Sequence, residues 1–251
     1  MRPGAVTLDL WGTLLADPPA ADDRYRAARL SGFARLLAEA GVPATEEMLD
    51  RGYRDSAAFL AQLWLQSRDV PVEDHVRVIL LAVDPELPRR LPPETLRALV
   101  DAYATPILAA PPALAAGAGA AVEALRSRGH VLGIVSNVMR TPGTTLREVL
   151  RRHGLLGQFA HLAFSDECRI RKPDPGIFRR ALAALGVPAA DAVHVGDDPW
   201  LDVAGARAAG MRAIQVGAGP RARFGRRRPH AAIGGLAELP DALARLARRR
   251  R

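Results

Sequence analysis

The sequence predicts an α/β protein, a doubly wound parallel sheet interrupted after its first strand by an all-helical insertion. Three observations predict it. From Gly119 onward, short apolar runs alternate with helical segments, the pattern of successive βαβ units. Between Ala20 and Tyr103 the apolar spacing is helical and no strand pattern occurs. The stronger strands each end in polar residues, and in a parallel sheet those ends share the edge where ligands bind.

The chain has 251 residues, of which 49% are hydrophobic. That is enough for one large domain or a core plus an insertion, and it excludes a disordered chain. The single cysteine, Cys168, cannot close an intrachain disulfide and points to a reducing, cytoplasmic setting; beside Phe164 it reads as a small packed hydrophobe. No signal peptide is expected, because Asp9 interrupts the N-terminal apolar run. The uncharged stretch 102–122 is rich in Ala, Gly and Pro. Pro106, Pro111 and Pro112 would break a spanning helix, so it reads as a linker into a helix and not as a membrane segment. Net charge is +8. The arginines are spread over many helical segments, which argues for composition and against a nucleic-acid surface. Lys172 is the only lysine among 35 basic residues, a hint of a site that takes a compact ammonium and not a planar fork.

The first strand is the apolar run Val6–Leu10, with Asp9 near its end and Gly12-Thr13 supplying turn chemistry. A helix is expected over Arg24–Ala40, ended by Gly41. Thr45-Glu46-Glu47 starts another, which runs to Gln66 and buries Leu49, Tyr53 and Leu60. Shorter helices follow over Val72–Ala82 and Pro93–Tyr103. The regular part then reads helix Ala120–Arg128, strand Val131–Val135, helix Pro142–Arg152, strand His161–Phe164 and a helix opened by Asp174-Pro175. Strand Ala192–Val195, a helix ending at Gly210, and strand Ala213–Val216 follow. The segment Gly219–Pro229 holds five arginines and Phe224 and reads as a solvated basic loop. A final amphipathic helix covers Leu239–Leu246.

The strand ends assemble one candidate site. They bring Asp9 and Thr13, Ser136 and Asn137, then Asp197, Asp198 and Asp202, while a loop brings Lys172. Clustered carboxylates repel unless a cation joins them, and hard oxygen ligands suit Mg²⁺ with a substrate phosphate. A hydroxyl, a strand-end N–H and an ammonium suit phosphoryl oxygens. A carboxylate facing a phosphoryl group can attack it and form an acyl phosphate.

Four motifs in order resemble those of the haloacid dehalogenase (HAD) superfamily: LDLWGTLL at 8–15, VSN at 135–137, RKPDPGIF at 171–178 and HVGDDPWLDVAGARAAGM at 194–211. The resemblance implies a Rossmann-like core over 1–17 and 105–251 and a helical cap over 18–104. It further implies that Asp9 is the nucleophile and that Ser136 and the Asn137 N–H bind phosphoryl oxygens. Lys172 would steady nucleophile and phosphoryl group. Asp9, Asp197 and the backbone carbonyl of Trp11 would hold Mg²⁺, and Asp202 would act in the outer shell or on Lys172. Thr13 joins the substrate-binding set, and Asp198 reads as a turn residue.

One departure matters. Phosphatases of the superfamily usually carry a second aspartate where this chain has Trp11. An indole donates one hydrogen bond and cannot exchange protons, and general acid–base help is commonly worth ~10²–10⁴-fold. Three functions follow from the resemblance, in order. The first is a slow Mg²⁺-dependent phosphatase for a small phosphorylated metabolite. The second is a metal-independent 2-haloacid dehalogenase, whose branch has an aromatic at this position but Ser and Asn in place of Gly196-Asp197. The third is a catalytically weak binding or regulatory protein. Substrate choice falls to the helical block, where Tyr25, Arg51, Tyr53, Arg54 and Trp64 are candidates to face the site.

Overall fold

The computed structural model describes residues 4–16, 21–217 and 228–248. The arginine-rich segment read as a basic loop lies, apart from its last two residues, outside the described residues, as does the arginine tail after Arg248.

Strand β1 (Ala5–Leu8) is buried along its whole length, as expected for a parallel strand covered on both faces. It is followed by the two-residue β2 (Leu15–Ala16). Five helices come next: α1 (Ala21–Glu39), α2 (Glu46–Leu65), α3 (Val72–Val83), α4 (Leu87–Arg90) and α5 (Pro93–Ala104). They pack around an apolar cluster of their own that includes Phe33, Leu37, Leu49, Ile79, Leu99 and Tyr103. Thr45 caps α2 by accepting the Met48 N–H at 3.2 Å, as its sequence position suggested.

The chain returns through β3 (Ala113–Leu114), antiparallel to β2. The stretch read as a plain linker therefore contains a short strand; two residues are too few for a period-2 signal. The remainder runs α6 (Ala118–Ser127), β4 (Val131–Ser136), α7 (Gly143–Arg152), β5 (His161–Phe164), α8 (Ser165–Cys168), α9 (Pro175–Leu185), β6 (Ala192–Gly196), α10 (Gly205–Ala208), β7 (Arg212–Val216), β8 (Ala231–Ile233) and α11 (Leu239–Arg248). A π-helical turn, Pro199–Ala204, leads into α10, where the sequence suggested one continuous helix. The sequence pattern marks none of α4, α8 and β8.

The six-stranded sheet has the order β5-β4-β1-β6-β7-β8 and all its pairs are parallel. From β1 the chain goes to β4 on one side, and from β5 it crosses back to β6 on the other. The carboxyl ends of β1 and β6 thus flank the switch point where ligands bind in open α/β sheets. No helix among the described residues is long and apolar enough to cross a membrane.

Candidate active site

Asp9 follows β1 directly, with its N–H still bonded to Val195 O of β6 at 2.9 Å. Its carboxylate is therefore presented at the switch point by two paired strands. The turn that follows needs Gly12, whose φ is +72°. A Cβ there would also lie 2.7 Å from Asp197 Oδ2, so glycine serves both the turn and the close approach. Asp197 begins the loop after β6, its carbonyl held by Gln215 Nε2 at 3.0 Å and its Oδ1 3.3 Å from the Thr13 hydroxyl. Thr13, expected on the substrate, thus orients an acid of the site.

Carboxylate oxygens of Asp9, Asp197 and Asp202 all lie within 4.8 Å of one another. Lys172 Nζ sits between two of them, 2.7 Å from Asp9 Oδ1 and 2.6 Å from Asp202 Oδ1. Its backbone is pinned by Asn137, whose Oδ1 accepts the Lys172 N–H at 2.8 Å and whose Nδ2 donates to the Lys172 carbonyl at 3.1 Å. The Asn137 side chain therefore joins the end of β4 to the lysine loop. Ser136 is fully buried, and its Oγ lies 3.5 Å from the Asn137 carbonyl.

Asp202 is wholly buried and fully occupied. Besides Lys172 it accepts from the Asp198 N–H at 3.0 Å and from His194 Nε2 at 3.1 Å. The other ring nitrogen, Nδ1, lies 2.9 Å from Thr7 Oγ1, its partner across the β1–β6 register. Burial holds the His194 pKa down, which favours the neutral ring. With Asp202 only accepting, Nε2 carries the proton and Thr7 donates to Nδ1. Thr7 and His194 were missed as site residues. Their only signal is polarity inside apolar strands, 187 positions apart. Asp198 caps the π-helical turn, accepting from the Trp200 and Leu201 N–H groups at 2.7 Å each, and so is the turn residue the sequence suggested.

The electrostatics divide the three acids. Burial, reinforced by the Asp202 charge and only partly offset by Lys172, raises the Asp9 pKa to about 7. Burial would also raise Asp202, but Lys172 and His194 outweigh it and hold its carboxyl well below the usual range. Burial would lower the Lys172 pKa, yet Asp202 and Asp9 carry it above its usual value. Burial and then Asp202 raise Asp197. Lys172 therefore holds Asp202 ionised, while burial and the Asp202 charge keep Asp9 and Asp197 above the usual carboxylate range.

Trp11 stands two residues after Asp9, partly buried, with its indole Nε1 buried and lacking an acceptor. Of the helical-block candidates, Tyr25 and Trp64 line a cavity with Trp11, and Tyr53 lies in the helical core. Arg51 and Arg54 are exposed, bonded to the Ala82 carbonyl and to Asp50 respectively. They are corrected as site residues, because their positions on α2 face solvent.

Known proteins resemble this chain in sequence and in fold. A phosphoserine phosphatase of Thermus thermophilus is 40% identical over 114 residues, 45% of either chain. The matched segments span less than half the length of the curated relatives first found. A 2-haloacid dehalogenase structure from Pseudomonas syringae superposes with TM-score 0.70 at 27% identity, over 97% of this chain and 99% of that one. A HAD phosphatase from Thermococcus onnurineus gives 0.59 at 26% identity, over 97% and 98%. The family profile of the haloacid dehalogenase-like hydrolases matches residues 3–210, a span that takes in the whole acidic cluster, and the chain belongs to that family.

Proposed function

We propose that this hydrolase is a Mg²⁺-dependent phosphomonoesterase acting on a small phosphorylated metabolite, with Asp9 as nucleophile. The observation that carries the reading is the convergence of Asp9, Asp197 and Asp202 within 4.8 Å, with one ammonium among them. Three carboxylates and one lysine leave two uncompensated negative charges when all are ionised, which suits one divalent cation. The donor set fits such an ion: Asp9 Oδ1 is buried and, although 2.7 Å from Lys172 Nζ, receives no aligned hydrogen bond. Asp9, Asp197 and the Trp11 carbonyl would hold it, with Asp202 behind them on Lys172. A bound Mg²⁺ supplies charge neutralisation for a phosphoryl group brought against carboxylates.

The chain's own residues do the rest. Asp9 attacks phosphorus, the P–O bond to the leaving group breaks with its electron pair, and the ester oxygen departs as an alkoxide or phenoxide that takes its proton from solvent water. Water then cleaves the aspartyl phosphate, which releases inorganic phosphate and restores Asp9. Lys172 keeps Asp9 oriented and meets phosphoryl charge, and the Ser136 hydroxyl and Asn137 N–H lie on the edge where phosphoryl oxygens would rest. Helices α1–α5 act as a cap that shapes the leaving-group side. Trp11 supplies no proton to the leaving oxygen, so poor leaving groups turn over slowly.

A metal-independent attack of Asp9 on a C–X bond is the second reading, favoured by the aromatic Trp11. The two separate in one assay. Hydrolysis of p-nitrophenyl phosphate by chelator-treated protein is expected to appear on adding Mg²⁺ and to vanish in Asp9→Asn. Equal turnover with and without chelator, or halide release from a 2-haloacid with no metal, would remove the first reading.

A further inference from the structure

A cavity of about 330 Å³ lies between the insert and the loop after β4. Trp11, Leu60 and Trp64 form its apolar wall, and Arg29, Arg140 and Thr141 its polar one. Trp11 follows Asp9 by two positions and Arg140 follows Asn137 by three, so the chain segments that carry these two site residues also line the cavity.

None of the described residues lining it is a carboxylate. Arg29 is 2% exposed. It donates to the Tyr103 carbonyl at 2.8 Å, the Tyr53 hydroxyl at 3.2 Å and Thr141 Oγ1 at 3.3 Å. Arg140 donates to the Tyr103 hydroxyl at 2.6 Å, Ser56 Oγ at 3.0 Å and the Tyr53 carbonyl at 3.3 Å. Every one of these acceptors is neutral. Among the described residues neither guanidinium makes an ion pair, although two cations converge on the same pair of tyrosines. Burying a cation without a counter-charge is costly. Each fork keeps N–H groups that these bonds do not use. A third donor among the lining residues, Trp11 Nε1, is buried with no acceptor among the described residues. His75, 3.3 Å from the Tyr103 hydroxyl, is driven to a pKa of about 3 by burial and then by Arg140, Arg29 and Arg171.

We propose that this cavity is an anion subsite: the Arg29–Arg140 pair receives a carboxylate carried by the substrate, whose apolar linker lies against Trp11 and Trp64. The planar forks match the two oxygens of a carboxylate. The substrate class is then a phosphomonoester of a hydroxy acid, with the phosphoryl group at Asp9 and the carboxylate at the arginines. The position of the phosphoryl end rests on the phosphatase reading; the carboxylate end rests on the arginine pair alone.

Two of the protein's three tryptophans line the cavity, so binding is read by fluorescence quenching without any turnover. The probes are 3-phenylpropionate and its neutral amide, with 3-phenylpropylphosphonate as a third arm. The acid is expected to bind about ten- to a hundredfold more tightly than the amide. Arg140→Gln should abolish that preference and Arg140→Lys should retain part of it. Equal binding of acid and amide by the native protein overturns the subsite, whether or not the variants fold. So does a preference unchanged in folded Arg140→Gln. Tighter binding of the phosphonate overturns the carboxylate assignment. Activity with Mg²⁺ separates the two proposals, using a carboxyl-bearing alkyl phosphate against its methyl ester. Hydrolysis of both at equal efficiency removes the subsite and keeps the phosphatase. Selective acid binding with no phosphate ester hydrolysed removes the phosphatase and keeps the subsite.

Discussion

At the scale of single residues, Trp11 decides how this site can work. Its indole nitrogen meets no acceptor among the described residues, so replacing the ring breaks no hydrogen bond to them. An aspartate there would stand beside the charges of Asp9 and Asp197, and neighbouring negative charge lifts a carboxyl pKa toward neutrality, the range useful to a general acid. Trp11→Asp is therefore expected to raise kcat for an unactivated phosphate such as phenyl phosphate by about tenfold or more, within the ~10²–10⁴ that such catalysis supplies. The gain should shrink for p-nitrophenyl phosphate, whose leaving group needs no proton. A folded variant with the same dependence on leaving-group acidity as the native protein would show that protonation does not limit the rate. Lys172 is the counterpart case. Lysine is compact enough to reach Asp9 at 2.7 Å and Asp202 at 2.6 Å from one nitrogen. Lys172→Arg keeps the charge but spreads it over a fork, and a loss of turnover with Mg²⁺ affinity retained is the expected result.

At the scale of elements, the α2–α3 connection is clamped to the lysine loop. Arg171 N–H bonds the Ser67 carbonyl at 2.9 Å, and Arg68 and Ile170 form an antiparallel bridge. The Arg171 guanidinium binds Asp69 at 2.6 Å and the Val138 carbonyl at 2.6 Å, and lies 4.2 Å from the centre of the Trp64 ring. The side chains of this pair are 6% and 0% exposed, so removing one partner strands a buried charge. Asp69→Ala is expected to cost about 3–5 kcal/mol in a denaturant titration and, because Lys172 is the next residue, to lower kcat more than KM. Arg35→Ala, which breaks the exposed i,i+4 pair with Glu39, should change stability by less than about 1 kcal/mol. A similar loss in both variants would mean that the clamp contributes no more than a surface pair. The contrast also shows what sequence can carry. Asp9, Asp197 and Lys172 stand out because strand ends and a solitary lysine mark them locally, and Thr45 and Asp174 advertise their helix starts. The Asp69–Arg171 pair spans 102 positions and the Thr7–His194 bond depends on strand register, so neither leaves a local pattern. Arg29 and Arg140 are hidden for another reason: in a chain with this much arginine, only the absence of acids around two of them is informative.

For the whole molecule, two buried groups outside the acidic cluster set opposing responses to acid. His75 stays neutral in the fold, its pKa near 3 because of burial and the charges of Arg140, Arg29 and Arg171, whereas the unfolded chain protonates near 6.5. Between those values the unfolded state binds the extra proton, so this group's contribution to stability is lost as pH falls, by up to about 1.4 kcal/mol per pH unit. Asp166 runs the other way. Burial is the main cause that raises its pKa to about 6, against ~3.9 in the unfolded chain. Between those values the folded state holds the proton, and stability rises as pH falls. The two slopes cancel between about pH 4 and 6, and the variants uncouple them. Asp166→Asn keeps an acceptor for the Gly143 N–H, now bonded to Asp166 Oδ2 at 3.0 Å, but removes the compensating titration. Relative to the native protein it should lose stability on going from pH 6 to pH 4, by up to about 2–3 kcal/mol in urea titrations. His75→Gln should show the opposite difference over the same window, growing more stable relative to the native protein toward pH 4. Parallel pH profiles for all three proteins would mean that both groups titrate alike in the folded and unfolded chains. The burial of His75 beside Tyr103, and of Asp166 at the start of α7, would then have no thermodynamic consequence.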